Sequence, residues 1–239
     1  MSGHSKWATI HRKKGELDAQ RGKVFQKIAK EIYIAARGTN GDPDSNPQLR
    51  AVIEKARANN MPRDNIQRAI DKATGAGDQE NYENIRYEGY GSGGAAIMID
   101  CLTDNRNRTA MLVRSTLTKK GGNLGTDGSV SYLFERKGVI VIDKSIDMDT
   151  IMMAALDNGA QDIVEEDENY IIYTDSDALL KVKDALNEAG VQEFSTCEVS
   201  FVPKNPIELD EENTDKVMEL VTMLEDIDDV QEVYHNVLL

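Results

Sequence analysis

Between Val139 and Val202 the apolar residues fall into an order that few folds can accept. A strand at Val139–Ile142 is followed by a helix at Asp149–Asn158 and strands at Ile163–Glu166 and Tyr170–Thr174. A helix at Asp177–Ala189 and a strand at Phe194–Val202 complete it. The order β-α-β-β-α-β is the ferredoxin-like arrangement. On either side lie pieces that do not make a core alone. Upstream, Tyr82–Tyr90 and Ala95–Thr103 read as strands joined at Gly91-Ser-Gly-Gly94, followed by a helix over Arg108–Lys119 that stops at Gly121-Gly122. Ser129–Phe134 alternates like one more strand. Downstream come a strand at Ile207–Leu209, a helix at Thr214–Leu224 and a strand at Val230–Val237. Joining the downstream β-α-β to the β-α-β of Ala95–Phe134 gives a second ferredoxin-like unit, with Pro203 and Pro206 marking the return crossing.

The first third of the chain follows a helical period. Val24, Phe25, Ile28, Ile32 and Ala35/Ala36 recur at three- and four-residue steps, and Arg37-Gly38 supplies the stop. Asn46-Pro47 opens a second helix with Leu49, Val52, Ile53 and Ala56 inward. Met61-Pro62 opens a third, with Ile66, Ala69, Ile70 and Ala73 inward, ending at Thr74-Gly75. The expected fold class is α+β with three domains: an N-terminal three-helix domain, then two ferredoxin-like α+β domains, the third inserted into the second. The boundaries are 1–77, 78–135 plus 205–239, and 136–204, with a hinge near residues 75–82.

The formal net charge of −14 hides a segregation. Residues 1–75 carry 15 Lys and Arg against 8 Asp and Glu, whereas residues 206–239 carry 1 against 11. Such a chain approaches a polyanion with its basic end first. On a helical wheel the apolar stripe centres about 170° from Lys23, while Lys27, Lys30 and Arg37 fall at about +40°, −20° and −40° from it. Arg21, Lys23, Lys27 and Lys30, together with Lys6, Arg12, Lys13 and Lys14 of the preceding segment, are therefore candidate phosphate contacts. Trp7 beside Lys6 is placed either to stack on a base or to fold back as an anchor. A second locus lies at Thr103-Asp-Asn-Arg-Asn-Arg-Thr109 and Lys119-Lys-Gly-Gly122: residues 102–125 hold five cations and one acid. Arg106, Arg108, Lys119 and Lys120 are its candidate contacts, read equally well as helix-capping surroundings.

Enzyme readings lack their parts. Lys13-Lys14-Gly15 has no phosphate-loop spacing, and Gly89-Tyr-Gly-Ser-Gly-Gly94 lies between two strands rather than before a helix. Three histidines, at positions 4, 11 and 235, offer no triad. Cys101 and Cys197 have no metal spacing and read as buried thiols. Glu165-Glu-Asp-Glu168 reads as a solvated turn rather than a metal site. The expectation is no enzyme, no metal and no cofactor. No apolar run approaches a membrane span and no apolar leader opens the sequence, so cytoplasmic placement is expected.

Gly3-His-Ser-Lys-Trp7, Asp18-Ala-Gln-Arg-Gly-Lys23, Ala58-Asn-Asn-Met-Pro62, Tyr87-Glu-Gly-Tyr-Gly91, Thr103–Thr109 and Lys119-Lys-Gly-Gly122, in this order, resemble the YebC family over nearly the whole chain. The resemblance implies a three-domain fold with the third domain inserted into the second. It also implies a DNA-binding, transcription-regulating function, or alternatively a ribosome-associated translation factor that relieves stalled elongation. The implied partners are nucleic acid (DNA, or ribosomal or transfer RNA) and, on the ribosome, ribosomal proteins. Base-reading candidates for the DNA case are Arg63, Asn65, Gln67 and Arg68. A protein-interaction scaffold with an incidental basic face is the third reading.

Overall fold

A computed structural model of the chain describes residues 17–75, 81–166 and 168–239. Three helices come first: α1 (Leu17–Ala36), α2 (Pro47–Ala58) and α3 (Arg63–Thr74). The apolar stripe of α1 buries Ile28, Ile32 and Ala36 against Leu49, Ile53 and Ala56 of α2 and Ile66, Ala69, Ile70 and Ala73 of α3. Asn46 ties two helices together. Its Oδ1 accepts the Leu49 N–H at 3.0 Å, capping α2, and its Nδ2 donates to the Ala35 carbonyl at 2.7 Å. Tyr82, reached after α3, packs edge-on to Tyr33 with ring centroids 5.6 Å apart and so belongs to this helical core.

The first sheet has the strand order β3–β1–β2–β8, formed by Asn123–Leu124, Glu83–Tyr90, Ala96–Thr103 and Val230–His235, all antiparallel. Helices α4 (Arg106–Lys119) and α7 (Glu211–Glu225) cover one face, where Ile97, Ile99, Val113, Leu117, Leu220 and Val233 are buried. The second sheet has the order β5–β6–β4–β7, formed by Ala160–Glu165, Asn169–Thr174, Phe134–Asp143 and Thr196–Pro203. Helices α5 (Met148–Leu156) and α6 (Leu179–Glu188) close its core over Ile140, Ile142, Ile172 and Val182. This unit has the expected ferredoxin-like order.

The first sheet reaches the same layered form by a different connection. Ile207–Leu209 does not supply a strand; it contributes one parallel bridge, Ile207 to Val237. The position expected for it is filled by β1, which the Gly91–Gly94 turn delivers onto β2 over eight paired residues. Of Ser129–Phe134 only Phe134 is in a strand, as the first residue of β4. Glu88, buried on β1, accepts the N–H groups of Gly128, Val130 and Ser131 at 2.9, 2.7 and 2.8 Å, and these bonds hold the segment as a loop and a 3-10 turn. The edge strand is Asn123–Leu124 instead. It lies so close to β1 that a Cβ on Gly89 would stand 2.6 Å from the Asn123 carbonyl oxygen.

Two kinds of joint hold the units together. Between the sheets the joint is apolar: Phe201 of β7 meets Tyr234 of β8 at 5.4 Å, and Arg86 lies over the Phe201 ring at 4.4 Å. Between the helical region and the first sheet the joint is made of charges.

Candidate nucleic-acid interface

The lysine row of α1 lies on one face, as its spacing requires, but that face is not open. It rests on the turn Glu225-Asp-Ile-Asp-Asp229 between α7 and β8. Lys23 Nζ pairs with Asp226 Oδ1 at 2.8 Å, and Lys27 Nζ donates to the Glu225 carbonyl at 2.9 Å. Lys30 Nζ donates to the Asp228 carbonyl at 2.9 Å and to Asp229 Oδ1 at 3.1 Å. The Asp226 hydrogen bond holds the Lys23 ammonium above its ordinary pKa, whereas burial pulls that of Lys27 below it. Lys55 of α2 extends the row. Burial works against its charge, but Glu31 beside it and Glu232 and Glu198 outweigh this and raise its pKa. Arg21 is exposed at the start of the row.

Asp229 is the pivot of the contact. Its side chain is 5% exposed, and besides Lys30 it accepts from Arg108 Nη2 at 2.7 Å and Thr109 Oγ1 at 2.9 Å. Burial would raise the pKa of this carboxyl, but its donors, Arg108 foremost, hold it lower than usual. Arg108 also reaches Asp104 at 2.8 Å. Beside the contact is a cleft of about 790 Å³, lined by Tyr33, Lys72, Tyr82, Leu112 and the acidic turn among others. The sequence reading named the lysines but not Asp226, Asp228 or Asp229. The available signal was an acidic run of opposite sign to the lysine row in the same chain.

Helix α4 differs from the rest of the surface. Asn105 caps it through the Arg108 N–H at 3.0 Å, and its fourteen residues include no acid. Arg108 and Lys120 are engaged, the latter with Glu219. Arg106, Arg114 and Lys119 are exposed and make no ion pair among the described residues, and Met111 between them is 66% exposed. Arg114 was not singled out from sequence. Lys6, Trp7, Arg12, Lys13 and Lys14 lie outside the described residues. On α3, Gln67 bonds Asp71 at 2.8 Å and Arg68 reaches Asn65 at 3.5 Å, so three of the four base-reading candidates are engaged on their own helix.

Among the described residues no cluster of three His, Cys, Asp or Glu side chains is placed to hold a metal, and no helix is long and apolar enough to cross a membrane. Cys101 is buried, which pushes its thiol pKa up to about 12, and burial also raises that of Cys197.

A model of the TACO1/YebC N-terminal domain matches residues 5–76, and one of the TACO1/YebC second and third domains matches residues 82–237. The chain belongs to the TACO1/YebC family. Similar TACO1/YebC relatives are named probable transcriptional regulatory proteins. The one from Geobacillus kaustophilus is 53% identical over 239 residues, covering 99% of this chain and 97% of its own. The Escherichia coli protein YebC is 55% identical over 237 residues, covering 99% and 96%. The crystal structure of a conserved hypothetical protein from Aquifex aeolicus superimposes with a TM-score of 0.85 at 44% identity, over 98% of this chain and 96% of that one. The Geobacillus and Escherichia names describe probable regulators, the Aquifex name states no activity, and none of the three is an enzyme name.

Proposed function

We propose that this TACO1/YebC chain is a non-enzymatic, cytoplasmic nucleic-acid-binding regulator of gene expression, acting on DNA as a transcriptional regulatory protein. The observation that carries the reading is α4, a helix without a single acid in a chain of net charge −14, with Arg106, Arg114 and Lys119 outward and unpaired among the described residues. Phosphates attract such a surface by Coulomb energy and by release of condensed counterions. Arg108 and Lys120 act in this reading by fixing α4 to its surroundings. Lys6, Trp7, Arg12, Lys13, Lys14 and Arg21 give further contacts.

One observation favours a ribosomal target over a duplex. The outward side of α3, the helix best placed to read bases, carries Asp64 and Asp71 among its polar groups, and Gln67 is already bonded to Asp71. A recognition helix needs its Arg, Asn and Gln groups free for base edges. Ribosomal or transfer RNA, recognised through phosphates and unpaired bases, makes no such demand. Acidic sheet domains would then meet basic ribosomal proteins.

Co-sedimentation with ribosomes at rising salt, with excess duplex DNA as competitor, separates the two. Displacement by DNA, most of all by one promoter fragment over random duplex, is the outcome expected of a transcriptional regulator. Retention despite DNA, lost on deletion of residues 1–16, is expected of a translation factor. A chain that neither binds ribosomes nor shifts DNA overturns both.

A further inference from the structure

The contact between the lysine row and the acidic turn has properties that a permanent domain joint does not need. The bonds that cross it are all polar: one exposed ion pair, two bonds from ammonium to backbone carbonyl and one bond to Asp229. The apolar cluster of the three helices and that of the first sheet are separate among the described residues. Opening the contact therefore splits no shared core, and the carbonyls of Glu225 and Asp228 can turn to water.

Asp229 is the group whose exposure to a broken contact matters most, because a buried unpaired carboxylate is costly. It is compensated from its own side. Arg108 and Thr109 belong to the same unit as Asp229 and remain bonded to it when Lys30 leaves. Lys55 is likewise compensated from its own side by Glu31 at 2.9 Å. Neither half is left with an orphaned buried charge. The geometry is that of a separable joint.

What can replace the turn is set by what the turn offers. Asp226 and Asp229 present oxygens to lysines seven residues apart on one helix, about 10 Å along its axis, with the Glu225 carbonyl at Lys27 between them and the Asp228 carbonyl beside Asp229 at Lys30. A row of acceptor oxygens at that spacing resembles a run of phosphates. We infer that the lysine row of α1 is a nucleic-acid-binding surface kept covered by the chain's own acidic turn, which the nucleic acid displaces as the helical region swings away. The inference rests on the nucleic-acid reading above and adds where the nucleic acid goes and what opposes it.

The test uses the full chain with two labelled probes, an oligo(U) strand and a random-sequence DNA duplex, with affinity read by anisotropy and shape by small-angle scattering. Asp226→Asn with Asp228→Asn removes two exposed carboxylates that act on Lys23 and leaves Asp229 in place. If the contact favours the covered state by about ten to one, uncovering it tightens binding about tenfold. The control is Glu211→Gln with Asp215→Asn, an equal change in net charge at least about 16 Å away along α7. It is expected to shift affinity less than about twofold, as a distant, salt-screened change. Adding Lys23→Gln, Lys27→Gln and Lys30→Gln to the uncovered variant should abolish its gain. Scattering should show a larger radius of gyration for the wild-type chain with probe than without.

Tightening no greater than in the control, or a radius unchanged by probe, overturns the inference while wild-type binding leaves the nucleic-acid reading intact. Binding by the uncovered variant alone supports the inference. Binding by neither form overturns both.

Discussion

Two buried carboxylates set much of how this chain responds to acid. Glu88 and Asp229 both have folded-state pKa values below their ordinary 4.5 and 3.8: backbone donors outweigh burial for the first, and Arg108 and Lys30 do so for the second. A depressed carboxyl contributes stability that is fully present above the ordinary value and is lost as pH falls through the lower, folded one. Thermal stability should therefore be flat near neutrality and decline below about pH 4.5, with the decline shallower in Glu88→Gln. At neutral pH, Glu88→Ala leaves three backbone N–H groups without their acceptor and should cost about 2–4 kcal/mol in denaturant unfolding. Cys101, with its thiol pushed up to about 12, should stay unreactive toward a thiol reagent until the chain unfolds. Prompt labelling of the native protein at Cys101 would contradict the burial described above.

At the scale of elements, α4 is the place where surface charge can be altered without touching a core. Replacing Arg106, Arg114 and Lys119 by Gln should leave the unfolding midpoint within about 0.5 kcal/mol of wild type. If all three contact a single strand, the slope of log affinity against log salt should flatten by about 2. An unchanged slope would remove α4 from the interface. The helices were legible because each had a local signature, such as the apolar stripe of α1 or the Asn46-Pro47 start of α2. The ferredoxin-like unit was legible because two of its strands carry apolar runs, Val139–Ile142 and Tyr170–Tyr173, with helical periods between the strands. Two segments were not. Glu135-Arg-Lys137 reads as a break between strands, yet β4 runs through it because β7 supplies a partner from Val199 to Pro203. Ser129–Phe134 alternates like a strand, yet Glu88, some forty residues earlier, takes its N–H groups. In the candidate interface the wheel placed the lysines on one face, but no local pattern reveals that residues 225–229 lie opposite. Pairing across two hundred residues is a property of the fold.

The whole molecule joins one unit to the next by two chemically different seams, and salt should tell them apart. The mainly aromatic seam between the sheets is less sensitive to screening than the charged seam between α1 and the acidic turn, which weakens as the Debye length shortens. Scattering at low and high salt should show the chain extending while near-ultraviolet dichroism around Tyr234 is retained; loss of both together would mean simple unfolding. The insertion carries a consequence for how such a chain is made. Strand β2 is synthesised long before β8, the neighbour that completes its sheet, and the entire second unit lies between them. During that interval Ile97 and Ile99 belong to a half-built layer, while Phe134 and Pro203, paired at the foot of the insert, bring the returning chain back to where it left. The inserted unit can finish first and act as a clamp that shortens the search for β8, so the order of synthesis and the order of closure run in opposite directions through the same sheet.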